Sequence, residues 1–256
     1  MTEYLQTNRD VDSDRLPENR ETIVWRYMDD WKFADMLKRN QLYLCRGDKL
    51  QDRFEGTYSR KQIIEDDLYW KAETGSDKLN VEEKKSRQKD RRSWYINSWC
   101  MHDHDLYHMW QSYTNVCHAV AVQIRVANLV AICDAKEVIE FRHYQLSVST
   151  VKYYNQKEGE FIDSFPTGFN PFVSKDHHFG LDNEIRILKW DPSSRKNEQT
   201  PNGLFMPVKL SALIECVVLS PGSTTEDIAK MKNLLTQYGL ENAPVELSRY
   251  DRELTE

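Results

Sequence analysis

The patterned part of the chain opens on a strict alternation: between Thr22 and Tyr27, Ile23, Trp25 and Tyr27 oppose Val24 and Arg26, the period of a strand. Phe33, Met36 and Leu37 then share a helical face that runs to Asn40, and Leu42 to Arg46 reads as a second strand. Alternation returns from Ser93 to Cys100. After it, Leu106, Met109, Trp110 and Tyr113 recur at helical spacing between His104 and Thr114, with Asp103 and Asp105 placed as N-cap residues. His118 to Val126 puts Val120, Val122, Ile124 and Val126 on one side of a strand. Val138 to Tyr154 reads as further strand material. Gly159 to Lys175, broken by Pro166, Gly168 and Pro171, reads as an aromatic loop, and Asn183 to Trp190 as another alternating strand. Ser193 to Gly203 is a polar turn, and the unbroken apolar run Leu213 to Leu219 suits a buried central strand. The clearest helix follows. Thr224 caps it with Asp227 three residues on, Ile228, Met231, Leu235 and Tyr238 form its stripe, and Gly239 ends it.

Two stretches lie outside this alternation. Residues 1 to 20 carry many polar and charged groups without periodicity and read as a flexible leader. Ser59 to Arg92 is densely charged, with Ile63, Ile64, Leu68 and Tyr69 at partly helical spacing and a basic run of Lys84, Lys85, Arg87, Lys89, Arg91 and Arg92. The order of elements therefore predicts an α+β chain. It has one domain over residues 21–256, a mixed and mostly antiparallel sheet with flanking helices, and a charged helical insertion at about 59–92. The basic run suits a solvated helix face, and a contact to nucleic acid or another target stays open.

Composition narrows the classes. Seven Trp, thirteen Tyr and nine Phe in 256 residues leave room for a substantial core. No window has the apolar length of a membrane span, and Met1 to Arg20 lacks the pattern of a signal peptide, so a cytoplasmic location is expected. A formal net charge of −6 supplies no global attraction for nucleic acid or anionic lipid. Cys45, Cys100, Cys117, Cys133 and Cys216 are odd in number and sit mostly in apolar runs, which suits buried thiols.

Several chemistries lack their signatures. No G-x-G pair supports a dinucleotide turn or P-loop, and there is no G-x-S-x-G, H-E-x-x-H or C-x-x-C. Cys100, His102, His104 and His108 are dense in potential ligands, but their spacing matches no recurrent zinc pattern, and His177 with His178 reads as polar loop. No metal is expected.

Short motifs in a fixed order carry a resemblance. Trp25-Arg26-Tyr27, the N-x-L-Y-L of Asn40 to Leu44, the D-x-F-E-G of Asp52 to Gly56, Met109-Trp110 with Tyr113, and the segment ending Asn183-Glu184-Ile185-Arg186-Ile187-Leu188 together resemble the domain-of-unknown-function 2971 family. The likeness runs over most of the chain after residue 20, although Gln51-Asp52-Arg53 stands where that family has Asn-Asp-Pro and the insertion is long. It implies a bacterial defence or toxin setting, with a macromolecular target (RNA, DNA or protein) and an antitoxin as possible partners. A weaker similarity is to ADP-ribosyltransferases, which pair an early Arg or His with an aromatic or hydroxyl residue on the next strand and a late Glu. That similarity implies Arg26, Tyr43 and Glu184 as catalytic residues and NAD as substrate, with contacts from Arg26, Tyr27, Tyr43, Arg46, Asp52 and Arg186.

The residues suit that chemistry and also blander roles. ADP-ribosyl transfer passes through an oxocarbenium-like centre and needs a placed carboxylate and a stacking face, not a metal. Glu184 and Arg186 alternate with Ile185 and Ile187, so they face either a cleft or solvent. Arg26 suits a phosphate or ribose contact, or an ion pair with Asp52 or Glu55, while Trp110 and Tyr113 suit core. Two other classes remain. A metal-dependent nuclease would use Asp52, Glu55 and Glu184 as ligands with the basic run on phosphates. A non-enzymatic interaction module would present Phe161 to Phe172 and the insertion.

Overall fold

A computed structural model describes residues 16–52, 55–57, 60–75, 89–115, 118–155, 172–195 and 199–252. The chain is α+β, and among the described residues nine strands form a mixed, mostly antiparallel sheet and two further strands pair with each other. In chain order the strands are β1 (Ile23–Asp29), β2 (Gln41–Arg46), β3 (Trp94–Met101), β4 (Ala119–Arg125), β5 (Gln145–Thr150), β6 (Lys152–Tyr154), β7 (Ser174–Asp176), β8 (Glu184–Trp190), β9 (Gly203–Pro207), β10 (Cys216–Leu219) and β11 (Val245–Leu247). The α-helices are α1 (Asp30–Arg39), α2 (Arg60–Thr74), α3 (Tyr107–Tyr113), α4 (Val126–Asp134), α5 (Leu210–Leu213), α6 (Thr225–Gln237) and α7 (Arg249–Arg252). None of these helices is long and apolar enough to cross a membrane. Two compact units divide the chain: one takes the residues up to Tyr43, Ser98–His143 and those from Phe205, the other Leu44–Asn97 and Tyr144–Leu204.

In the first unit, β1 lies between β3 and β4, antiparallel to both, and β4 continues to β10 and then β11. The β1–β4 register runs unbroken from Ile23 opposite Arg125 to Asp29 opposite Ala119. Ala119 and Ala121 leave space on one face that the large rings of Trp25, Tyr27 and Trp110 fill. Tyr27 and Trp110 meet edge to face, with centroids 4.9 Å apart, and the Tyr27 hydroxyl accepts the Leu106 backbone N–H at 3.0 Å. α1 ends at Asn40, whose left-handed φ of 53° turns the chain into β2. α6 carries the expected capping box between Thr224 and Asp227 and leads to β11, which pairs in parallel with β10.

Three local readings change here. α3 starts at Tyr107 with Leu106 as its N-cap, because Asp105 is buried and committed elsewhere: it accepts Trp110 Nε1 at 3.0 Å, Ser248 Oγ at 2.5 Å and the Arg249 N–H at 3.2 Å. Val126, read as the end of a strand, instead begins α4, which buries it together with Leu129, Ile132 and Cys133. Tyr113, placed in the core by its spacing, is 38% exposed.

The second unit pairs the end of β2 with the start of β3 (Cys45 opposite Ile96) and β5 with β8, from Gln145 opposite Trp190 to Thr150 opposite Ile185. Its core gathers Trp94, Ile96, Phe172, Val173 and Leu188, and the Trp94 and Phe172 rings stack at 5.4 Å. β6 and β7 pair in parallel, so a segment read as loop ends in a strand. In α2, Ile64, Leu68 and Tyr69 are exposed. Gly56, the glycine of the D-x-F-E-G motif, has φ +69°, and a Cβ there would fall inside the van der Waals envelope of the Phe172 ring. Gly56→Ala is therefore expected to lower unfolding free energy by about 2–4 kcal/mol in denaturant titration, from left-handed strain plus overpacking.

Candidate functional site

β8 is where charge enters the interior. Alternation placed Glu184 and Arg186 on a polar face, toward a cleft or solvent. Instead β8 is covered on both sides: Ile185 and Ile187 are wholly buried, and Glu184 and Arg186 are only 2% and 1% exposed. The reason is a set of partners from other elements of the same unit. Arg186 Nε donates to Glu184 Oε2 at 2.7 Å, its Nη1 donates to the Phe172 carbonyl at 3.0 Å, and its Nη2 donates to Glu55 Oε1. Lys175 Nζ donates to Glu184 Oε1 and to Asp182 Oδ2, each at 2.8 Å, and stands 3.9 Å from Glu55 Oε1. Thus β7, β8, the turn carrying Glu55 and the 3-10 turn His177–Asp182 meet in one ion network.

Burial by itself would raise the Glu184 pKa, but the Arg186 and Lys175 charges and hydrogen bonds more than offset it and hold the carboxyl at about 2, well below its ordinary 4.5. Burial would strip the proton from Lys175, yet Glu184, Asp182 and Glu55 together keep its ammonium charged. Tyr153 lies alongside, its hydroxyl accepting the Glu184 backbone N–H at 2.9 Å. Burial and the Glu184 charge push its phenol far up, so it stays protonated. The solvent side is formed by the 3-10 turn, whose Phe179 ring sits 4.4 Å from Lys175 Nζ and is 40% exposed.

The other sequence-derived positions take distinct places. Arg46 is buried, with its guanidinium engaged by Asp48 and by the carbonyls of Thr200 and Pro201, so it clamps a loop. Asp52 lies in the turn that presents Glu55, its carbonyl accepting the Glu55 N–H at 3.3 Å. Glu55, weighed as a partner for Arg26, is paired with Arg186. In the first unit, Arg26 Nη1 donates to the Ser98 carbonyl at 2.7 Å. Tyr27 uses its ring in the core, whereas Tyr43 is 39% exposed and packs on Phe205 at 5.2 Å. Arg91 Nη2 donates to the Gly47 carbonyl at 3.2 Å, and Arg92 shares its 3-10 turn; Lys84, Lys85, Arg87 and Phe161 to Pro171 lie outside the described residues.

Lys175 and Tyr153 were not singled out by spacing. Each contributes through a three-residue strand too short to show a period, and only pairing with its neighbour brings it to Glu184. Cys100 is buried, its thiol 3.8 Å from Met109 Sδ. Among the described residues, the one cluster able to offer three metal-ligand atoms is Asp176, His177 and His178. No family model matches the chain, and no curated protein or solved structure does.

The network makes stability depend on acid in a defined direction. Because the folded pKa of Glu184 lies below its ordinary 4.5, its contribution is complete above that pH and is lost as pH falls toward about 2. Arg186→Met, which leaves two buried carboxylates short of their shared cation, is expected to cost about 3–5 kcal/mol at neutral pH. Adding Glu184→Gln should recover part of that loss and flatten the acid limb, read by chemical unfolding across pH.

Proposed function

We propose that the chain is an ADP-ribosyltransferase-like, NAD-consuming enzyme that modifies a macromolecular target, nucleic acid or protein, in a bacterial defence or toxin setting, with Glu184 as its working carboxylate. The observation that carries the reading is that Glu184 is buried with one cation on each carboxylate oxygen, Arg186 at 2.7 Å and Lys175 at 2.8 Å, which favours its ionised form. An ion network of this kind is a poor stabiliser compared with apolar packing, which favours a chemical use for it. A fixed negative charge in dry surroundings acts on a neighbouring cationic centre far more strongly than it would in water.

The chemistry suits NAD. As the bond between nicotinamide nitrogen and ribose carbon breaks, electrons pass to the leaving nicotinamide and positive charge grows on the ribose. Glu184 would stabilise that charge and accept a ribose hydroxyl hydrogen bond. A nucleophile on the target then bonds to the same carbon and gives its proton to solvent or to the carboxylate. Arg186 fixes Glu184 Oε2, while Lys175, at the edge toward the exposed turn, is the cation that an arriving dinucleotide would draw from Oε1 to its own phosphates. The nuclease reading is weaker because a metal ion on Glu55 and Glu184 would have to replace both Arg186 and Lys175, whereas the dinucleotide draws off Lys175 alone.

NAD consumption by the purified protein, alone and with total RNA, DNA or lysate, tests this. Turnover is expected to fall about 100-fold or more in Glu184→Gln. Glu55→Gln removes an equal charge from the network without touching the working carboxylate and should retain most activity if folded. Equal loss in both variants, or no turnover by the wild type under any condition, would sink the reading.

A further inference from the structure

The exposed turn beside this network has a chemistry of its own. Asp176 closes β7 and caps the 3-10 turn, its Oδ1 accepting the His178 backbone N–H at 3.0 Å. Both following imidazoles turn back to that same oxygen. His177 Nδ1 lies 3.4 Å from it, and His178 Nδ1 makes a close hydrogen-bond contact with it. The two rings are tilted by 42° with centroids 4.1 Å apart, and one nitrogen of each ring and a carboxylate oxygen all fall within 4.8 Å of one another. Side chains of consecutive residues ordinarily diverge, and here a turn instead of a continued strand makes three donors converge.

We propose that Asp176, His177 and His178 form a binding site for a divalent transition-metal ion such as zinc. Two neutral imidazole nitrogens and one carboxylate oxygen are a borderline donor set, which favours zinc or nickel over calcium or magnesium. Zinc bonds of about 2.0–2.2 Å place neighbouring donors of a tetrahedron about 3.3–3.6 Å apart, which spans the His177–Asp176 separation of 3.4 Å. The His178 contact is closer and would open to admit the ion. Exposure of His177 and His178, at 48% and 68%, leaves the remaining coordination position to water or to a group from outside. The ion would pin the turn that begins at Asp176 and ends with Asp182, and with it the residue that holds Lys175 from the solvent side.

The test is equilibrium dialysis of the full chain against zinc, with metal content measured per chain. Wild type is expected to retain one zinc, and His177→Ala and Asp176→Asn to bind at least about tenfold more weakly. His104→Ala, an exposed histidine elsewhere, should bind like wild type. His177→Ala keeps the Asp176 cap, so its loss of zinc with an unchanged unfolding curve cannot come from misfolding. No zinc on the wild type, undiminished zinc on His177→Ala and Asp176→Asn, or equal loss in His104→Ala would each overturn the site.

Discussion

A carboxylate that keeps its charge while almost fully buried must be met by cations supplied from its own surroundings, and in the second unit Glu184 imposes that condition on everything near it. Arg186 satisfies one oxygen from two residues along the same strand, where the pleat returns the side chain to the same face. Lys175 satisfies the other from β7, which reaches it only because β6 and β7 pair. Glu55 then completes the Arg186 fork, and the D-x-F-E-G turn that presents it closes on Phe172 with room for a glycine alone. Arg186, Lys175, Glu184 and Glu55 each have at least two partners in the network, so removing one weakens the pairing of the others and the parts are coupled.

Such a network is costly as structure and useful as chemistry. The desolvation of two cations and the two buried carboxylates, Glu55 and Glu184, is repaid only through close hydrogen bonding, so an apolar cluster of the same volume would hold the strands at lower cost. What the charges add is a preorganised field. They come ready oriented, without the reorganisation that water would need when positive charge develops nearby. The first unit contrasts with this. Its interior is built of aromatic and aliphatic groups, and its buried Asp105 is satisfied by one indole, one hydroxyl and one backbone donor in a purely connective role.

Legibility followed the strength of local periodicity. β1, α1, β2, β3, β4, β8, β10 and α6 are readable because each has a period, a cap or an unbroken apolar run of its own. α4 is not, since its apolar residues follow directly on those of β4, which masks the one-sided spacing of Val126, Leu129, Ile132 and Cys133. β6, β7 and β11 span three residues each, too few for any period. Asp105 illustrates a different limit: its sequence position before a helix matches that of a cap, and what removes it from that role is a C-terminal segment far away in the chain.

The sequence by itself determined the α+β class, the strand that carries Glu184 and Arg186, the shared face of those two residues, and the glycine turn beside Glu55. These depend on neighbours a few residues apart, whose relations the backbone period dictates. Tertiary structure decided whether that face met a cleft, solvent or other charges, because this is settled by Lys175, Glu55 and Asp182, which no period links to β8. It also decided the protonation of Glu184, since a pKa records which charges surround a group and how much water they displace, and neither is written in the spacing of residues along one strand.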